Sequence, residues 1–199
     1  MPKIVSNPQA DWNRLKPDSI HAVGQLHKLL EEGGSSQDVL DMYLYTKKLL
    51  AESMKALFLS RYPKECPTFH ELVDKLTANM SYSYSGKIPD KYLVIRYRSK
   101  VHESLFSILL HHMDEPVSAD WLRLSTGDSV HTERRTRELR ELGIRIDTGT
   151  ESGVNVYTLR SLEIDTSLIP TIIKNNIKHK KASKQERQEL LAILGLDDD

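Results

Sequence analysis

Apolar residues recur at helical spacing along much of the first 112 positions. Ile20, Val23, Leu26, Leu29 and Leu30 form one stripe over residues 19–32, and Gly33-Gly34-Ser35-Ser36 breaks it. Val39, Leu40, Tyr43, Leu44, Leu50, Met54, Leu57 and Phe58 form a second over residues 37–62. Such repeats predict amphipathic helices. Pro63 and Pro67 bracket a loop, after which Thr68, with Glu71 three residues on, is placed to cap a third helix over 69–80. A Tyr/Ser-rich loop (81–86) and a long helix over 90–112 complete the expectation of a four-helix domain at 1–113. Residues 1–17, polar and with three prolines, read as an irregular lead-in.

The pattern changes at Pro116. Ser118 can cap a short helix carrying Trp121, Leu122 and Leu124, with Asp120 in its first turn. Thr126-Gly127-Asp128 interrupts the pattern, and Asp128 or Ser129 can cap the next helix. On that helix Leu139 and Leu142 share a face, with Arg135 and Thr136 at its edges, while Glu133, Arg134, Arg137 and Glu141 point away. Gly143 is a helix stop. Ile144-Arg145-Ile146 and Val154-Asn155-Val156-Tyr157 alternate as strands, joined by the polar run 148–153. Helix, turn, arginine-rich helix and hairpin together predict a winged helix-turn-helix at 116–160.

Beyond it, 161–199 reads as a basic linker and C-terminal helix. Lys174 to Arg187 holds six Lys/Arg against one Glu, and Ser183 with Glu186 marks a helix start. The fold class expected is therefore mainly α: an N-terminal helical bundle, a winged helix with a small β-hairpin, and a short basic helical tail.

That arrangement points to double-stranded DNA as partner. Ser129, His131, Glu133, Arg134 and Arg137, in the first half of the arginine-rich helix, are the candidate base readers, since the planar Arg fork matches two acceptors on guanine. Arg140, Arg145, Thr150, Ser152 and Asn155 are candidate phosphate contacts. The same arginines stand four residues from glutamates (Arg134/Glu138, Arg137/Glu141), so they equally suit a solvated, salt-laced helix face.

Composition narrows the classes. Lys plus Arg and Asp plus Glu number 28 each, a zero net charge that argues against indiscriminate coating of nucleic acid. The single cysteine, Cys66, excludes an internal disulfide and suits a reducing, cytoplasmic compartment. No apolar run is long enough to span a bilayer, so no membrane partner is expected. No histidine cluster has metal-ligand spacing, and neither a metal nor a cofactor is expected. A homodimer fits reading of paired half-sites.

The run RRTRELRELGIRI, preceded by VSADWLRLSTG, resembles the winged-helix module of HNH-type restriction endonucleases and related bacterial defence proteins. The resemblance covers about a quarter of the chain and implies DNA recognition. The chain departs from that family in having no paired-cysteine zinc framework and no recognisable nuclease motif. It is thus expected to be the DNA-recognition part of a longer endonuclease or a non-catalytic relative, with a transcriptional regulator as the alternative. Separately, LLAESMKALFLSRYPKECPTFHELVDKL is similar to HEPN-type helical bundles, whose ribonuclease members pair an Arg with a His. IRYRSKVHE supplies Arg96 and His102, and that resemblance implies a phosphate-holding cation beside an acid–base group. Tyr82, Tyr84, Tyr92 and Tyr97, interleaved with basic residues, suit either base stacking or core packing.

Overall fold

The computed structural model describes residues 7–127 and 131–196. In chain order these residues form α1 (Pro8–Glu31), α2 (Ser36–Leu59), α3 (Pro67–Tyr84), α4 (Lys100–His111), β1 (Val117–Ser118), α5 (Ala119–Ser125), α6 (Thr132–Glu141), β2 (Ile144–Glu151), β3 (Val154–Ile164), α7 (Ile169–His179) and α8 (Lys184–Leu194). The chain is mainly helical with one small antiparallel sheet of strand order β1-β3-β2. It divides into two compact units. One holds the residues up to Lys64 together with Ala119–Thr132, and the other holds Glu65–Ser118 together with the residues from Glu133 onward.

In the first unit α1 and α2 lie side by side and α5 packs on α2. Small residues line the seam: Ser19, Ala22, Thr46, Ser53 and Ala56 are buried, and the Thr46 hydroxyl donates to the Ala22 carbonyl at 3.2 Å. Small side chains let the two backbones approach. Phe58 of α2 meets Trp121 of α5 edge-on, ring centroids 5.6 Å apart. The irregular lead-in expected over residues 1–17 is corrected, because α1 starts at Pro8 and continues through Pro17. Pro8 falls in the first helical positions, where its missing N–H costs nothing. Pro17 is internal and carries the usual penalty of about 3 kcal/mol, which tertiary packing of Leu15, Ser19 and Ala22 opposes.

The second unit is built on the sheet. Phe69, Leu76, Leu105, Phe106, Leu109 and Leu159 are fully or almost fully buried, and α3 and α4 contact β3. Strand β3 pairs with β1 at Val117↔Tyr157 and with β2 from Glu151↔Val154 to Ile144↔Ile164. The strands run further than expected, so the hairpin ends in a two-residue turn with Ser152 at φ 49° and Gly153 at φ 80°. Positive φ at both central positions is the type I′ geometry that suits strand twist. Gly143 does end α6, at φ +83°, and a Cβ there would stand 2.7 Å from the Asp165 carbonyl oxygen. Its own carbonyl accepts the Asp165 N–H at 3.0 Å.

Three further expectations are corrected. The helix over 90–112 is a 3-10 turn (Asp90–Tyr92), an extended run, then α4. Leu93 and Ile95 are buried while Val94 and Arg96 are exposed, a period of two. The Asn176 side-chain amide donates to the Tyr92 and Val94 carbonyls at 2.9 and 2.7 Å, replacing a strand partner. Thr68 does not cap α3; the cap is Cys66, whose N–H reaches the Glu103 carboxylate at 2.9 Å, and the helix runs on to Tyr84. The stretch read as a basic linker includes α7, whose Ile169, Ile172, Ile173 and Ile177 are buried. Ser183 caps α8 as expected, accepting the Glu186 N–H.

Candidate nucleic-acid interface

Helix α6 has the sequence TERRTRELRE, and its two faces separate by periodicity. Thr136, Leu139 and, just past the helix, Leu142 are buried, while Arg134 and Arg137 are exposed. Glu138 is the exception. It belongs to the inner face, 3% exposed, and its carboxylate gathers three donors. Arg134 Nε reaches Oε1 at 3.0 Å, Arg135 Nη1 reaches Oε2 at 2.7 Å, and His102 Nε2 reaches Oε2 at 2.9 Å. On the far side of the ring, Ser99 Oγ lies 2.7 Å from His102 Nδ1.

Burial pushes the Glu138 carboxyl up, but the bonds from Arg135, His102 and Arg134 outweigh it and hold its pKa below the usual carboxylate value. Burial lowers the His102 pKa, with the pull of Glu138 acting against it. The ring is therefore neutral near pH 7. A carboxylate needs a donor, so the network assigns Nε2–H to Glu138 and leaves Nδ1 accepting from Ser99. The His102–Glu138 contact is thus a hydrogen bond rather than an ion pair. Both ring nitrogens are committed inside the protein, and none faces solvent for an acid–base step on RNA. Arg96 is exposed, with its guanidinium 5.9 Å from the Tyr97 ring centre.

The candidate DNA contacts fall into groups. Arg134 is 60% exposed and, among the described residues, only its Nε is engaged. Glu138 therefore steadies it without consuming its fork. Arg137 is equally open, at 3.7 Å from Glu141, too long for a strong pair. Glu133 flanks them, half-buried. Arg140 and Arg145 make no ion pair with a described residue, and Arg140 Nε is buried without a hydrogen-bond partner. Thr150 and Asn155 are a cross-strand pair and Ser152 sits in the turn beyond them, all exposed. The hairpin tip carries hydroxyls and Glu151 but no Lys or Arg, so it can donate to phosphate only through neutral groups. His131 is exposed and belongs to the other compact unit. Ser129 lies outside the described residues.

No family model, curated protein or solved structure matches the chain. The candidate interface thus stands on its own residues. Among the described residues no group of three or more His, Cys, Asp or Glu is placed to hold a metal ion, and no helix is long and apolar enough to cross a membrane.

The sequence pointed to the arginines and to the hairpin, and missed the buried network behind them. A signal existed: Arg135, Glu138 and Leu142 are spaced three and four apart, which puts Glu138 beside Leu142 on the inner face. Of the four tyrosines among basic residues, Tyr92 is core, its hydroxyl donating to Glu186 at 2.8 Å, while Tyr82 is 93% exposed.

Proposed function

We propose that the chain binds double-stranded DNA through a winged helix-turn-helix in which α6 is the recognition helix and β2–β3 the wing. The observation that carries the reading is the order helix, strand, helix, helix, strand, strand from α4 to β3, with the sheet order β1-β3-β2, since this is how a winged helix is wired. Arg134 and Arg137, three residues apart on the exposed face of α6, supply forked donors to base edges, and Arg140 and Arg145 supply charge for phosphates. The resemblance of this segment to modules of HNH-type restriction endonucleases makes a restriction or defence setting the first biological context to test.

The reading includes a homodimer. Ile20, Val23 and Leu30 on α1 and Leu40, Tyr43 and Leu44 on α2 are large apolar side chains left exposed. Both helices carry balanced charge, three acids against three Lys/Arg in each, so two copies meet without net repulsion. A two-fold dimer also matches paired half-sites.

The experiment is duplex binding across a salt series. Saturable binding is expected, with affinity falling steeply as salt rises, and Arg134→Ala or Arg137→Ala each costing about 1–3 kcal/mol at the cognate site.

A further inference from the structure

We propose that the cavity between the C-terminal end of α6 and the start of the β2–β3 ladder binds the phosphate group of a small, hydroxyl-bearing phosphate ester, with Arg140 and Arg145 as its anion-holding residues. The cavity measures about 340 Å³, and Arg140, Gly143, Arg145, Ser161, Glu163 and Asp165 are among its lining residues.

Four observations carry the inference. First, two guanidiniums share this cavity with two carboxylates, yet no cross-pair forms: neither Arg140 nor Arg145 makes an ion pair with a described residue. Guanidiniums left unpaired beside acids are poised for another anion, and their planar fork suits phosphate oxygens. Second, Arg140 lines the cavity and its Nε is a buried donor without an acceptor, a condition native proteins rarely leave unmet. Third, the cavity is opened by a bulge. The register steps from Ile146↔Leu159 to Arg145↔Ser161 to Ile144↔Ile164, so Leu162 and Glu163 have no partner on β2. Ser161 Oγ accepts the Glu163 N–H at 3.0 Å and fixes that loop-out. Bulges of this kind re-aim side chains at ligand sites.

Fourth, the two acids differ in role. Asp165 Oδ1 is occupied by the Ser167 N–H and hydroxyl, at 3.0 and 2.6 Å. The Glu163 carboxylate makes no hydrogen bond with a described residue and is left to accept one. An acceptor beside an anion site selects a ligand with hydroxyls near its phosphate, as a ribonucleotide has. The volume lies at the small end of ligand pockets, about 300–1,000 Å³, and fits one mononucleotide rather than a longer chain. This inference does not rest on the DNA reading, because a DNA backbone phosphate is a diester with no free hydroxyl for Glu163.

Isothermal titration of the full chain tests it with four probes: adenosine monophosphate, inorganic phosphate, adenosine and a DNA duplex. The expected result is saturable binding of the monophosphate, competition by inorganic phosphate and no binding of adenosine. Arg140→Gln and Arg145→Gln should each weaken the monophosphate about tenfold or more. Glu163→Gln should weaken the monophosphate while leaving inorganic phosphate as tight or tighter. Circular dichroism melts confirm that each variant folds, and the exposed Arg145 carries the test alone if Arg140→Gln does not. Absence of phosphate or monophosphate binding at millimolar concentration would overturn the proposal. So would unchanged affinity in the folded arginine variants, or binding of the duplex alone, which assigns both arginines to the DNA backbone. Monophosphate binding without duplex binding supports this site and removes the DNA reading instead.

Discussion

Glu138 connects the surface chemistry of α6 to its interior. Its two oxygens take a donor from Arg134, from Arg135 and from His102, so one carboxylate orients two arginines and ties α6 to the start of α4. Removing it leaves a buried imidazole N–H without an acceptor and frees the arginines. Glu138→Ala is therefore expected to cost about 1–3 kcal/mol in denaturant unfolding, the range for leaving a buried polar group without its partner, since both arginines it releases have solvent-exposed side chains. The pH dependence has a definite sign. Unfolded His102 takes up a proton below its ordinary value of 6.5, whereas the buried ring resists it, so stability is full above that value and falls as pH drops through and below it. Glu138, held below its ordinary 4.5, adds a second loss as pH falls further through its folded value. His102→Gln keeps a donor and an acceptor but cannot titrate. Its melting temperature should lose the first fall and keep the second; a first fall undiminished in the variant would contradict the assignment of His102.

Asn176 shows the same dependence at the scale of an element. Leu93, Val94 and Ile95 form an extended strip, and the carbonyls of Val94 and of Tyr92 just before it have the Asn176 amide where a strand would have a neighbour. Asn176→Leu preserves approximate size but leaves both carbonyls unpaired. It should lower unfolding free energy by about 1–3 kcal/mol by chemical denaturation, and Asn176→Asp, which cannot donate, should do no better. A fully stable Asn176→Leu protein would refute this role. The strip also explains what the sequence could and could not tell. Long repeats at period 3.6 gave α2, and the cap at Ser183 gave the start of α8, because those signals are local. The alternation over 93–96 is too short to outvote the helical repeat that follows it, and its partner lies more than 80 positions away. Prolines misled in the opposite direction at Pro17, where packing overrides a local preference that reads as a helix breaker.

For the whole molecule, zero net charge conceals local order. The arginines on α6 were legible as a cluster, yet which of them are steadied, open or lining a cavity depended on Glu138, on the bulge at Arg145 and on the close pass of Asp165 at Gly143. None of these leaves a periodic trace in the chain. The exposed apolar residues on α1 and α2 belong to this scale too. Sedimentation velocity should show a dimer at micromolar concentration, and Leu44→Glu should shift it toward monomer; a wild-type monomer at all concentrations would remove the two-fold component of the reading.

The most direct measurement is selection of bound sequences from a randomised duplex pool, repeated with Arg134→Ala and Arg137→Ala. Enrichment of a short motif, with base preference relaxed at the positions each arginine reads, is the result expected of α6 as a recognition helix. No enriched duplex, or a motif unchanged in both variants, would contradict it.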